Sequence, residues 1–96
     1  MRPSEALERH KVAAREIVKR FPVANQRVFG SILTNEDTNE SDIDLLVDAL
    51  PGASLFDLGG LQVQLEELFG VPVDLVTSVG LSPRMRDRIL AEAQPI

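Results

Sequence analysis

Apolar residues recur every three or four positions in three stretches of the chain, which is the spacing of an amphipathic helix. The first stretch follows Pro3 and ends at Pro22, the second follows Ser54, and the third follows Ser82 and Pro83. Serine is a common N-cap and proline is favoured at the first helical position, so these residues mark helix starts. The pattern predicts a helix near each end of the chain and one between them.

The middle helix carries a leucine stripe over residues 58–68, which we interpret as core. Gly59 and Gly60 interrupt it, and each glycine in a helix interior costs about 1 kcal/mol relative to alanine. This pair predicts either close packing at that point or a helix that starts after it.

Three other stretches have the shorter apolar pattern of β-strands, at residues 23–29, 41–47 and 71–77. Residues 41–47 begin with alternating acidic and apolar positions and end as a continuous apolar run, which is typical of a central strand. A short helix or loop is expected after the first strand. This order of elements predicts an α/β or α+β fold, in which about four helices flank a small sheet of about three strands.

The length and composition narrow the classes of function. With 96 residues, we expect a single domain spanning residues 1–96. The 15 acidic and 10 basic residues give a net charge of −5, which disfavours direct binding to nucleic acid. The absence of cysteine excludes disulfides and thiol nucleophiles. No apolar run is long enough to cross a membrane, so we expect no membrane partner and a cytoplasmic location.

The candidate chemistry begins with Asp42 and Asp44, two residues apart at the start of the predicted central strand. At that spacing two side chains share one face of a strand, with Cα atoms about 6.6 Å apart, so both carboxylates can reach one hard cation. Mg²⁺ with a substrate phosphate is the natural occupant, because ionised acids at the start of a buried strand need a compensating charge. Asp74, in the third predicted strand, is a candidate third metal ligand or general base.

A candidate phosphate-binding turn precedes these acids. Gly30 and Ser31 follow the first predicted strand, and ten residues separate Ser31 from Asp42. Glycine leaves the backbone open, serine supplies a hydroxyl, and exposed N–H groups at such a turn form an anion site. A phosphate-binding turn that faces two carboxylates is the minimal arrangement for metal-assisted phosphoryl or nucleotidyl transfer.

The spacing from Gly30 and Ser31 to the acids and apolar run of residues 42–47 resembles the signature of the polymerase-beta-like nucleotidyltransferase superfamily. Residues 73–76 are similar to its third acidic strand. The short chain looks most like the minimal nucleotidyltransferases, which are the antitoxins of HEPN/MNT toxin–antitoxin pairs. The resemblance covers residues 28–77.

This resemblance implies a mixed sheet with the palm-like fold of polymerase beta. It also implies a Mg²⁺-dependent reaction, with two ions, in which AMP passes from ATP to a tyrosine hydroxyl of a partner HEPN toxin and silences it. By position, Asp42 and Asp44 would be catalytic metal ligands and Asp74 the third acid, while Gly30 and Ser31 would contact the nucleotide phosphates. A small chain that acts on a partner is also expected to form a hetero- or homo-oligomer.

The sequence departs from the family pattern after the glycine–serine pair. The family commonly has arginine and glycine where this chain has Thr34 and Asn35. Asparagine tolerates the left-handed conformation, so Asn35 can replace the glycine. Thr34 has neither the charge nor the reach of an arginine.

Two classes of function remain open from the sequence. The first is an enzyme that adenylylates its partner, and the second is an antitoxin that neutralises its partner by steric contact without catalysis. Taken singly, the acids could be solvated residues at a strand edge, and glycine–serine turns are common. Arg84 and Arg88 share one side of the last helix, where they would meet a triphosphate, an acidic partner or solvent.

Overall fold

The computed structural model describes residues 1–96 as a mixed sheet of four strands with three α-helices. Along the chain the elements are α1 Pro3–Val18, β1 Val23–Phe29, β2 Ile43–Ala49, α2 Leu55–Phe69, β3 Val73–Thr77, α3 Pro83–Glu92 and β4 Gln94–Pro95. Single turns of 3-10 helix at Gly30–Ile32 and Ser78–Gly80 follow β1 and β3. The predicted α/β class is confirmed, and the counts differ slightly from those expected.

The differences lie where an element is too short to leave a periodic pattern. The fourth helix expected after β1 is the single turn Gly30–Ile32, and the additional strand β4 has only two residues.

Helix α1 ends at Val18 rather than at Pro22. The residue before a proline disfavours helical geometry, so the chain leaves the helix earlier and turns into β1.

The sheet has the strand order β3-β2-β1-β4. Strand β2 runs parallel to β3, whereas β1 runs antiparallel to both β2 and β4, so the sheet is mixed. Strand β2 is therefore central, in agreement with its continuous apolar run. Its register places Asp44 directly opposite Asp74 on one side and Phe29 on the other.

Helices α1 and α2 cover one face of this sheet, and the hydrophobic core lies between that face and the two helices. Alternation along β2 directs Ile43, Leu45 and Val47 into the core, where each is fully buried. The opposite face of β2 carries Asp44 and Asp48 on either side of the buried Leu46. The fold thus places the acidic residues of β2 on the face that α1 and α2 do not cover.

Helix α2 begins at a complete capping box. The Ser54 hydroxyl accepts a hydrogen bond from the Asp57 N–H, and the Asp57 carboxylate accepts one from the Ser54 N–H. A start at Leu55 rules out the late start allowed by the two glycines. A Cβ atom on Gly60 would lie 3.3 Å from the Phe21 ring, so close packing explains that glycine, whereas a Cβ atom on Gly59 would meet nothing within 4 Å. No helix of the chain is both long and apolar enough to cross a membrane.

Candidate active site

The parallel pairing of β2 and β3 brings two of the predicted site residues together. Asp44 and Asp74 occupy opposite positions on adjacent strands, about 4.8 Å apart, and share the face away from α1 and α2. Asp44 is half-buried and Asp74 is exposed. The sheet therefore fixes two carboxylates side by side at the start of its central strand.

Asp42 stands just outside the strand in which we expected it. Strand β2 begins at Ile43, whose N–H donates a 2.9 Å hydrogen bond to the Pro72 carbonyl, two residues later than predicted. Asp42 is consequently an exposed loop residue at the entrance to β2. The expectation that it belongs to the strand is wrong, because pairing starts only where β3 and its preceding loop supply a partner.

The three acids nevertheless form one electrostatic cluster. Partial burial is the largest cause that raises the pKa of Asp44 from 3.8 to about 6, and the charges of Asp74 and Asp42 add to it. Negative charges near a carboxyl group disfavour its ionised form. A cation or positively charged ligand placed among these carboxylates would remove that repulsion.

The predicted phosphate-binding turn lies against the same cluster. Gly30 has a φ of +80°, a conformation that residues with a Cβ rarely adopt. A Cβ atom at this position would overlap the Oδ2 atom of Asp44 and lie 3.0 Å from its Cγ. The backbone of the turn and the Asp44 carboxylate are therefore in direct apposition, and Ser31 follows in the single 3-10 turn.

The turn continues through Thr34 and Asn35, the two positions that depart from the family pattern. The Thr34 hydroxyl donates a 3.2 Å hydrogen bond to the Ser31 carbonyl, so this exposed side chain closes the turn. Asn35 has a φ of +57°, which confirms that it takes the left-handed conformation expected of a glycine substitute. The turn geometry is thus compatible with the residues present.

The loop between the turn and Asp42 is anchored by a residue whose role the sequence did not reveal. The Asp37 carboxylate is buried and accepts hydrogen bonds from the Arg2 guanidinium at 2.8 Å and the Ser4 N–H at 2.9 Å. The side chain and backbone of Ser4, together with Arg2, hold the pKa of Asp37 below 3.8, against the opposing effect of burial. Asp37 caps the start of α1 and ties the loop to it. Because its partners lie more than 30 residues away in sequence, no local pattern could indicate this contact.

The three arginines of α3 have different surroundings. Arg86 holds the start of the helix, since its guanidinium donates to the Ser78 carbonyl at 2.7 Å and the Leu81 carbonyl at 3.1 Å. Arg84 is exposed. Arg88 lines a cavity that Gly30 also lines, whereas Arg84 and Arg86 do not line it.

The carboxylate oxygens available at this site fit a metal ion that is also bound by the substrate. No three carboxylate or histidine side chains are arranged to hold a metal ion by themselves. Magnesium in phosphate-transferring sites is commonly bound by one or two carboxylates, with phosphate oxygens and water completing its shell. Asp42 and Asp44, beside an exposed backbone turn, could supply that partial set. Such a combination defines a class of protein, the enzymes of metal-assisted phosphoryl or nucleotidyl transfer.

Comparison with known proteins identifies the family within that class. The nucleotidyltransferase domain family matches residues 11–96. Relatives in this family include proteins named as protein adenylyltransferases. One relative, from Methanocaldococcus jannaschii, has been given the provisional name of protein adenylyltransferase. It is 43% identical to this chain over 77 residues, which is 80% of this chain and 83% of the relative. The chain belongs to the nucleotidyltransferase domain family, and within it to the minimal nucleotidyltransferases.

Solved structures agree with this assignment. A structure provisionally described as a minimal nucleotidyltransferase has a TM-score of 0.87 and 40% identity, covering 97% of this chain and 95% of that chain. A structure of a toxin–antitoxin with AMP-PNP has a TM-score of 0.70 and 20% identity, covering 92% of this chain and 70% of that chain. The second likeness establishes a shared fold. The protein is a nucleotidyltransferase.

Proposed function

We propose that this protein is a Mg²⁺-dependent adenylyltransferase that transfers AMP from ATP to a tyrosine hydroxyl of a partner HEPN toxin, and so acts as its antitoxin. The observation that carries the proposal is the apposition of the Gly30 turn and Asp44, with Asp74 opposite Asp44 on the next strand. The names of the relatives support a protein acceptor. The toxin–antitoxin structure with AMP-PNP supports a toxin partner and an adenine nucleotide.

The site residues have three different roles in the proposed reaction. The backbone at Gly30 and the hydroxyl of Ser31 hold the phosphates of the nucleotide. Asp42 and Asp44 are the principal ligands for two Mg²⁺ ions, and Asp74 completes the cluster. When bound, the ions neutralise charge on the phosphates and on the departing group. Burial, together with the negative charges of Asp74 and Asp42, raises the pKa of Asp44, and a cation bound at this point would offset both effects.

The transfer itself is a displacement at the α-phosphorus of ATP. The tyrosine oxygen forms a bond to that phosphorus, and the bond between it and the oxygen bridging to the β-phosphate breaks. Pyrophosphate leaves with the electron pair of the broken bond. The exposed Asp74 carboxylate accepts the hydroxyl proton, and the partner is left with a tyrosyl phosphodiester that carries one negative charge.

The open position of the site favours a macromolecular acceptor. The acids lie on the face of the sheet that α1 and α2 leave uncovered, and Asp42 and Asp74 are exposed. A tyrosine on the surface of another protein can therefore approach Asp74 without an opening motion. The partner in turn would exclude water from the reacting groups, as a lid does in larger enzymes. Since the reaction consumes ATP, we place it in the cytoplasm.

Co-expression with the toxin tests catalysis against steric neutralisation. Wild-type protein should restore the growth of cells that express the toxin. Asp42→Asn, Asp44→Asn and Asp74→Asn should still co-purify with the toxin but fail to restore growth. Asp87→Asn, on the exposed face of α3, is the matched control and should behave as wild type. If the three site variants protect cells as well as wild type does, the protein neutralises its partner by contact alone.

A further inference from the structure

Helix α3 is held at its ends and packs little along its length. At its start Arg86 is fixed by the Ser78 and Leu81 carbonyls, and after its end β4 pairs with β1. The following residue, Ile96, is buried in the core. No residue of the helix itself is buried. A ten-residue helix is marginal by itself, so these two anchors keep it in place.

The apolar side of α3 faces a cavity instead of a packed surface. The cavity measures about 180 Å³ and opens beside the phosphate turn. Its lining comes from the end of β1, from the turn and from α3, namely Phe29, Gly30, Met85, Arg88, Ile89 and Glu92. Met85 is 52% exposed although it faces this apolar space. A helix that leaves a large apolar side chain uncovered beside a cavity is typical of a binding site.

The size and lining of the cavity match one planar ring system. The cavity has room for roughly six water molecules. Its volume is below the roughly 300 Å³ at which pockets for drug-sized ligands begin. Phe29, Met85 and Ile89 offer apolar surface for the faces of a ring. Arg88 and Glu92, whose charged groups are 3.6 Å apart, offer a donor and an acceptor at the rim.

We propose that this cavity binds the base of the nucleoside triphosphate. The proposal rests on the proposed function only in that the phosphates lie at Gly30 and Ser31. Gly30 lines the cavity and also touches Asp44, so a nucleotide held at the turn has its base end adjacent to α3. The ring stacks against Phe29 and Met85, the Arg88 guanidinium covers part of its face, and Glu92 accepts from an exocyclic amino group.

The two methionines of the chain provide a direct probe. In protein labelled with ¹³C at the methionine methyl groups, a base stacked beside Met85 shifts that methyl signal through its ring current. ATP with Mg²⁺ should therefore move the Met85 signal, whereas tripolyphosphate with Mg²⁺ should not. Met1, which precedes α1 and lines no part of the cavity, should stay unchanged in both titrations. A Met85 signal that saturating ATP leaves in place would overturn the proposal.

A pair of variants provides a second, independent readout by calorimetry in the absence of any partner. Ile89→Asp places a charge in the cavity, so ATP should bind at least tenfold more weakly while tripolyphosphate affinity stays within twofold. Leu90→Asp is the matched control, because Leu90 is 43% exposed and does not line the cavity. It should leave both affinities unchanged. If Ile89→Asp fails to fold, Met85→Ala replaces it, with an expected threefold loss for ATP alone.

The outcomes separate this proposal from the proposed function. Equal losses for ATP and tripolyphosphate, or no loss for either, would overturn the base site and leave nucleotidyl transfer intact. Selective loss for ATP in a protein that modifies no partner would support the base site and count against transfer to a toxin. Failure of the wild type to bind either compound would overturn both.

Discussion

Gly30 lies so close to Asp44 that a Cβ atom on the glycine would overlap the carboxylate of the aspartate. The contact joins the turn after β1 to the central strand β2. Because Gly30 also has a φ of +80°, two separate constraints exclude a side chain at this position. The turn and the first acid of the strand are therefore in direct contact, with no room for a side chain between them.

Gly30→Ala should therefore damage both stability and transfer. The left-handed backbone and the overlap with Asp44 should lower the free energy of unfolding by about 1–3 kcal/mol, measured by urea denaturation. Displacement of the Asp44 carboxylate should reduce AMP transfer by at least about 100-fold, since small misplacements at a reacting centre have effects of this size.

Gly59→Ala is the matched control for that substitution. A Cβ atom at Gly59 meets nothing within 4 Å, and alanine is the better helix former. This variant should raise the free energy of unfolding by up to about 1 kcal/mol and leave transfer unchanged. If Gly30→Ala behaves like Gly59→Ala, the turn does not depend on contact with Asp44.

The raised pKa of Asp44 predicts how stability changes with pH in the absence of Mg²⁺. Between its unfolded value of 3.8 and its folded value of about 6, the folded protein binds more protons than the unfolded chain. The contribution of Asp44 to stability therefore falls as the pH rises through this window and is constant above it. Asp44→Asn removes the unfavourable charge.

At pH 7 the Asn variant should be more stable than wild type by about 1 kcal/mol, after allowance for solvent screening of this half-exposed group. The difference should shrink as the pH approaches 4, and denaturation curves from pH 4 to 7.5 measure it. Addition of Mg²⁺ should stabilise wild type more than the variant. An advantage that is independent of pH would show that the pKa of Asp44 is not raised in the folded protein.

The lowered pKa of Asp37 predicts that its contribution to stability changes with pH in the opposite direction. Its pKa is held below 3.8 by Ser4 and Arg2, so its stabilising contribution is present above that value and is lost as the pH falls through its folded pKa. Asp37→Ala should lower the free energy of unfolding by about 2 kcal/mol at neutral pH, because α1 loses its cap and the Ser4 N–H loses its partner.

The neighbouring exposed acid provides the control for Asp37. Glu36→Ala should change stability by less than about 0.5 kcal/mol. Because Asp37 anchors the loop before Asp42, its loss should also slow AMP transfer, with a larger change in kcat than in the KM for ATP. A stable Asp37→Ala protein with normal loop order by amide exchange would contradict the anchoring role.

Asn35 has the left-handed conformation at the end of the turn that follows β1. The φ of Asn35 is +57°, so its replacement by alanine should lower the free energy of unfolding by about 1 kcal/mol. Replacement by glycine should give a free energy of unfolding within about 0.5 kcal/mol of wild type. Thermal unfolding of Asn35→Ala and Asn35→Gly measures the difference. Equal stabilities for the two variants would mean that the turn relaxes to another conformation.

Much of the fold could be predicted because its elements are periodic and locally capped. The continuous apolar run that ends residues 41–47 indicated a central strand, and Ser54 marked the start of α2. Strand β4 could not be predicted in this way. It has two residues, and pairing with β1 rather than any local pattern defines it.

The candidate site was predictable only in part. The two-residue spacing of Asp42 and Asp44 indicated the acid cluster, but where β2 begins depends on the carbonyl of Pro72, which sequence periodicity does not report. Contact between Gly30 and Asp44 follows from the antiparallel register of β1 and β2. The burial of Asp37 likewise depends on a tertiary contact.

The most direct test of the central claim is the intact mass of the protein encoded beside this chain. That protein is incubated with the purified chain, ATP and Mg²⁺, and Asp42→Asn serves as the control. The account predicts a mass gain of one or more AMP units with wild type and none with the variant. Co-purification of the two proteins with no mass gain would contradict it and would identify the chain as a steric antitoxin.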